Sequence, residues 1–238
     1  MTEPASMSRR RLLRALPLGV LAVGCGDTDS GFLGLMDRVN GRIEQRLFRP
    51  SVLAPQLPPG SETPDDQFPA YKIGSAFPVA SASWRLSVGG LVERPRVFSL
   101  EDLMRLPRTD IRVRHHCVEG WSAVASWHGV KLRELASVVG ASPKARSVEF
   151  HSFETDADDA SEHYWSAWDG ESAMHPQTLI AYGRNGSPLP PAYGGPARLY
   201  GAVKLGYKNV KWLDRLIFTP ESRGGYWESR GYEWFAGV

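Results

Sequence analysis

The chain has 238 residues, with 28 Lys and Arg against 26 Asp and Glu, and a formal net charge of +2. That positive charge sits at one end. Without residues 1–24, which hold Arg9, Arg10, Arg11, Arg14 and Glu3, the balance falls to −1, so no nucleic-acid partner is expected. Two cysteines, 18 prolines and 24 glycines predict a loop-rich domain of ordinary size with no internal disulfide.

At the N-terminus, Ser8-Arg9-Arg10-Arg11-Leu12-Leu13-Arg14 precedes an apolar run from Ala15 to Gly24. A cationic region before a short hydrophobic one is export-signal chemistry, and the run is too short to span a bilayer. Paired Arg9-Arg10 followed by Leu12 and Leu13 is similar to a twin-arginine (Tat) signal, expected over residues 1–25. Leu21-Ala22-Val23-Gly24-Cys25 resembles a lipoprotein cleavage box with its leucine one place early, so Cys25 is a candidate lipid anchor. The expected location is the periplasm or the outer face of the cytoplasmic membrane.

Residues 26–62 read as an amphipathic helix and a connector. Phe32, Leu35, Met36, Val39, Ile43 and Leu47 recur at helical spacing, with Asp37, Arg38, Arg42, Glu44 and Arg46 between them. A surface helix packed on the domain is the plain reading, and docking to a membrane partner the sharper one. Prolines 50, 55, 58, 59 and 64 predict an extended connector. Residues 63–238 form the expected main domain. Trp84, Leu86 and Val88 share a strand face. Ser99 caps a short helix that ends before Pro107, and Leu132 to Val139 forms another, stopped by Gly140. Val148 to Phe153 alternates as a strand, Asp156 to Glu162 is an exposed acidic loop, and Leu179 to Tyr182 is a strand before the Asn185-Gly186 turn. Val210, Trp212, Leu216 and Phe218 are strand-like. Short helices, mixed sheets and long loops predict an α+β fold.

The chemistry centres on Arg114-His115-His116-Cys117-Val118-Glu119-Gly120-Trp121-Ser122. Ile111, Val113, His115 and Cys117 alternate as a strand, and Gly120 marks a turn, so Cys117 stands where strand meets loop. A thiolate there can bind a metal or attack an electrophile, and nearby Arg and His charge would favour it. A small buried apolar cysteine is the ordinary alternative. A second block runs from Pro190 to Leu199 and continues as Lys204-Leu205-Gly206-Tyr207-Lys208-Asn209-Val210-Lys211-Trp212. Glycines, an arginine fork and lysines suit a phosphate cradle as well as a solvated basic face.

Together the blocks resemble the molybdopterin domain of the sulfite-oxidase superfamily, and most closely the catalytic subunits of periplasmic protein-methionine-sulfoxide reductases. The resemblance rests on Cys-Val-Glu-Gly-Trp-Ser at 117–122, then His175-Pro176-Gln177-Thr178-Leu179, Leu189-Pro190-Pro191, Gly194 to Leu199, and Lys204 to Lys211, in that order. It implies that Cys117 is the single protein ligand of molybdenum in one molybdenum–molybdopterin per chain. A soft thiolate suits a metal already held by dithiolene sulfur. It implies that Arg198, Lys211 and the backbone of Asn209 and Val210 hold the pterin phosphate, that the Ser152 hydroxyl contacts the cofactor, and that Glu119 moves protons. Tyr193 and Asp66 stand where the subfamily has asparagines at the cofactor. The chain stops at Val238 without the sulfite oxidases' C-terminal dimer domain, so a monomeric catalytic subunit is expected.

The implied reaction is oxygen-atom transfer, run as reduction of sulfoxides such as protein methionine sulfoxide. Sulfite oxidation is the alternative, with Arg112, Arg114 or Arg184 supplying a basic pocket. With no Cys-x-x-Cys-His site and no cysteine set for an iron–sulfur cluster, the expected electron source is a membrane haem b subunit linked to quinol. Other classes remain open on the residues alone: a zinc site from Cys117 with His115, His116, His128 or His151, a cysteine hydrolase, and a non-catalytic binding module.

Overall fold

The computed structural model describes residues 32–238. The Arg9-Arg10 signal and Cys25 therefore lie outside the described residues. The chain divides into two units, Met1–Arg38 and Val39–Val238, and both sheets belong to the second. Helix α1 is Phe32–Leu47. Its buried residue in the second unit is Gly41, where an added methyl would stand 3.9 Å from both Phe235 and Trp234. Phe48 continues the contact, edge-on to Phe235 and tilted against His175. Val39, Ile43 and Leu47 are exposed, so the stripe expected to pack inward faces outward instead. The small side of the helix is what lets it approach the domain closely.

The connector is extended, as its prolines require, and it is strapped to the sheet by side chains. Gln177 makes two bonds to Ala54 (2.8 and 2.9 Å), Gln56 accepts from the Arg112 N–H at 2.8 Å, and Thr63 accepts from Val124 at 2.9 Å. Such strapping replaces the ladder that proline cannot join.

Two five-stranded sheets follow. The first has the order β2-β1-β10-β5-β6, from β1 (Leu86–Gly90), β2 (Arg96–Phe98), β5 (Ser147–Thr155), β6 (His163–Asp169) and β10 (Leu213–Thr219). Only the β1–β10 pair in it is parallel. The second runs β3-β4-β7-β8, with β9 also on β7, from β3 (Arg108–His116), β4 (Ser122–Lys131), β7 (Thr178–Arg184), β8 (Ser187–Pro188) and β9 (Arg198–Gly201). Asn185 and Gly186 take positive φ (50° and 79°), the two-residue hairpin geometry the Asn-Gly pair predicts.

The helices are short: α2 (Leu100–Met104), α3 (Leu132–Val139) and α4 (Gly170–Ala173). Ser99 and Asp102 form a reciprocal capping box on α2 (3.0 and 3.1 Å), and left-handed Gly140 closes α3. The α+β expectation of mixed sheets, short helices and long loops is met. One core gathers Leu86, Val88, Leu132, Leu135, Phe150, Trp168 and Leu216, and a second gathers Ile111, Val113, Trp127, Leu179 and Tyr200.

Candidate active site

Strand β3 ends at His116, which pairs with Ser122 of β4, so residues 117–121 are the connecting loop. The Cys117 N–H donates to the Trp121 carbonyl at 3.0 Å, the Gly120 N–H donates to the Cys117 carbonyl at 3.1 Å, and Gly120 has φ +89°. This tight loop holds the thiol at the wall of a cavity of about 320 Å³, within the range of roughly 300–1,000 Å³ typical of small-ligand sites.

Cys117, Glu119, Tyr193, Arg198, Asn209 and Lys211 all line that cavity. Residues far apart in sequence are thus brought to one place by the β3–β4 loop, the start of β9 and the turn before β10. Arg198 is buried and stacks over Trp127 at 4.9 Å. Its guanidinium donates only to carbonyls, those of Leu199 (3.1 Å), Tyr193 (3.0 Å) and Asn209 (3.0 Å). Lys211 donates to the Tyr71 carbonyl. Other buried cations have acids: Arg184 has Asp65 at 2.5 Å, Lys204 has Asp169 at 3.1 Å, and Lys208 has Glu228. Arg198, which is buried, and Lys211, which is half-buried, instead hydrogen-bond to carbonyl oxygen and lie over aromatic rings, with the Glu154 carboxylate near enough to act on Lys211. Burial, then mutual repulsion, pulls Lys211 down to about 7, and burial pulls Arg198 down to about 10. An anion placed between them would reverse that cost. The cavity has the charge a phosphate-bearing ligand needs.

Two glycines permit the geometry. A Cβ at Gly194 (φ +100°) would stand 2.9 Å from the Lys211 Cβ, and one at Gly206 would stand 2.8 Å from His115 Nε2.

The remaining sequence candidates are placed differently. Asp66 is exposed in the 3₁₀ turn Asp65–Gln67 and does not line the cavity. Tyr193 holds that turn from below, its hydroxyl donating to the Asp65 and Phe68 carbonyls (3.2 and 3.0 Å) while its ring carries Arg184 at 3.9 Å. Ser152 is buried behind the wall, accepting from the Glu154 N–H at 2.9 Å. Val210 is fully buried, and the amides of Asn209 and Val210 donate to Gly206 and Lys208 within their own turn. The amide donors expected there are already engaged, and the Asn209 side chain is too, clipped to Gly201, Lys204 and Leu205.

Charge near the thiol also differs from expectation. Burial, and then the Glu119 carboxylate, raise the Cys117 pKa. Strand alternation explains the correction. Arg114 points outward to the Ser122 hydroxyl at 3.1 Å, while His115 is buried and pushed down to about 3 by desolvation, hence neutral. A metal must displace the thiol proton to bind here.

Sequence reasoning missed Tyr71, Lys72, Ile73 and Glu154. The Glu154 carboxylate accepts from Ile73 (2.7 Å) and Gly74 (3.3 Å) and so fixes that loop at the cavity. Lys72 donates to the Gly74 and Ser75 carbonyls at 2.8 Å each. The signal was available for Glu154, an acid in the buried phase of the β5 alternation. At the rim, Glu119 accepts from the Tyr71 hydroxyl (2.6 Å) and from Trp121 Nε1 (3.1 Å).

The zinc reading fails on geometry: among the described residues, no cluster of three or more His, Cys, Asp or Glu could hold a metal ion. A lone thiol beside a phosphate cradle instead fits a metal that arrives inside an anionic cofactor. The family model of the oxidoreductase molybdopterin-binding domain matches residues 74–227, most of the cavity-building chain. The chain belongs to this molybdopterin-binding oxidoreductase family.

Relatives agree. A protein of Azospira oryzae named "Putative protein-methionine-sulfoxide reductase subunit YedZ1" is 39% identical over 96% of this chain and 87% of its own length. The protein-methionine-sulfoxide reductase catalytic subunit MsrP of Campylobacter jejuni is 31% identical over 62% of this chain. The chain spans 52% of the length of that catalytic subunit. The sulfane dehydrogenase SoxCD of Paracoccus pantotrophus shares the fold, with a TM-score of 0.56 at 23% identity, covering 91% of this chain and 60% of the other. Family membership sets aside the hydrolase and binding-module readings. In this oxidoreductase, Cys117, Arg198 and Lys211 are the residues whose chemistry fits molybdenum–molybdopterin.

Proposed function

We propose that the chain is the catalytic subunit of a sulfoxide reductase, acting on methionine sulfoxide in proteins with one molybdenum–molybdopterin per chain. The observation that carries this reading is the Cys117 thiol sharing a cavity with two cations, Arg198 and Lys211, whose hydrogen bonds go to carbonyl oxygens. The names of its relatives support the choice of substrate. When bound, the cofactor supplies two-electron oxygen-atom transfer. Overall, a sulfoxide, two electrons and two protons give a sulfide and water.

The chain's own residues bind and orient. The Cys117 thiolate holds the metal, as soft ligands do for metals in sulfur surroundings. Arg198 and Lys211 hold the phosphate. Glu119, exposed at the rim and oriented by Tyr71 and Trp121, passes protons inward. Around the opening, Tyr71, Val118 and Tyr232 add exposed apolar surface beside the Glu119 carboxylate. Aromatic edges there suit a sulfur-bearing side chain presented by another protein.

Sulfite oxidation is less well supported. Arg112 pairs with Glu62, Arg114 faces outward, Arg184 pairs with Asp65, and none of them lines the cavity. Export through the Arg9-Arg10 signal to the periplasm, and electrons from a quinol-linked haem b subunit in the membrane, complete the proposal. The test is steady-state turnover of molybdenum-loaded protein, using a reduced dye with methionine sulfoxide and an oxidised acceptor with sulfite. Sulfoxide-dependent dye oxidation is expected. Rapid sulfite oxidation without sulfoxide turnover would overturn the reading.

A further inference from the structure

Helix α1 carries a surface that the redox reading does not use. From Val39 onward its inward side is Gly41, set close to Phe235 and Trp234, with Glu44 near Glu233. Its outward side presents Val39, Ile43 and Leu47, which are 38%, 50% and 72% exposed. The segment after the helix continues the patch with Val52 and Leu53, 58% and 53% exposed. Arg42, Arg46 and Arg49 are exposed beside this stripe. Glu44, the acid nearest to them in sequence, is turned toward Glu233 instead.

A stripe of aliphatic side chains bordered by arginine is an arrangement with a physical use. At an interface between water and lipid, the aliphatic groups leave water while guanidiniums on long stems reach the phosphate layer. We propose that the segment from Val39 to Leu53 lies on the surface of an anionic lipid bilayer. Charge chooses this occupant. A protein covering the stripe would have to bury three guanidiniums against matched acids, whereas a layer of phosphate headgroups meets them wherever they fall. The sequence agrees, since the apolar run Ala15–Gly24 and Cys25 precede the segment by a short stretch of chain. No described helix is long and apolar enough to cross a membrane, so the segment would lie along the surface rather than span it. The proposal does not depend on which reaction the cavity performs.

The test uses the full chain, so residues 1–31 are constant throughout. Vesicles of phosphatidylcholine with phosphatidylglycerol are compared with pure phosphatidylcholine, reading binding by flotation and amide hydrogen exchange across residues 39–53. Slower exchange in that segment on anionic vesicles is expected. Arg42→Gln with Arg46→Gln and Arg49→Gln should weaken binding on the order of 100-fold. Ile43→Asp should weaken it roughly tenfold or more, because one apolar contact is replaced by a charge of the wrong sign. Ile43 is half exposed, so the variant keeps its fold, and activity of the loaded enzyme on a soluble sulfoxide is unchanged. Unaltered exchange at 39–53 on vesicles that do bind the chain would overturn the proposal. So would binding by Ile43→Asp equal to the parent's, or protection that arises only when the membrane carries a protein subunit.

Discussion

Single residues at the cavity separate two kinds of loss. Cys117→Ser keeps the size of the side chain but removes the soft donor, so turnover should be abolished while the protein stays folded. Arg198→Met should act differently. It removes a buried cation whose partners are three carbonyls, and cofactor occupancy should fall before any effect on the thiol site. Phosphorus and molybdenum measured together on the purified variant distinguish these. Unchanged occupancy in Arg198→Met would remove the arginine from the phosphate site.

His115 gives a pH prediction at the same scale. Its folded pKa is pushed down to about 3 by burial, below the ordinary imidazole value. Between that value and about 6.5 the unfolded chain binds a proton that the folded chain does not, so stability falls as pH drops through this window. The slope from His115 alone approaches roughly 1.4 kcal/mol per pH unit at its steepest. His128, His151 and His175 are shifted in the same direction, again mainly by burial. Urea midpoints of the cofactor-free chain, taken near neutrality and at mildly acid pH, should show the decline. A flat or opposite trend would mean the imidazoles are hydrated.

Elements were legible where local chemistry decides them. Helix α3 and its Gly140 stop, the Ser99 cap, the Asn185-Gly186 hairpin and the extended proline connector each follow from a few adjacent residues. Strand β4 was missed because Ser122–Lys131 does not alternate: most of its residues are buried on both faces. Strand β9 was missed because it is held by β7, a partner that sequence does not reveal. The Tyr71 loop was missed for the same reason, since its meeting with Glu154 is tertiary, whereas the inward phase of Glu154 itself was readable from the β5 alternation. Close packing also sets a prediction at this scale. A Cβ at Gly129 would lie 2.2 Å from the Ile180 carbonyl oxygen between β4 and β7, so Gly129→Ala should cost about 2–4 kcal/mol. Ser99→Ala, which removes one reciprocal cap, should cost about 1 kcal/mol. Denaturant titration of both variants checks the order, and a Gly129→Ala protein as stable as the Ser99→Ala one would mean the sheet can open there.

Across the whole molecule, the ordered motifs were readable because each carries a chemical demand: a soft thiolate, an arginine fork, glycines for close approach. Their convergence was not readable, and the structure supplies it by joining the β3–β4 loop, the start of β9 and the turn before β10 around one cavity. The division we propose is between a thiol for the metal and a pair of cations for the phosphate. Most direct as a test is molybdenum X-ray absorption of the loaded chain and of Cys117→Ser. The account predicts one protein sulfur beside the dithiolene pair in the parent, and loss of that single sulfur in the variant. Identical sulfur coordination in both proteins would contradict it.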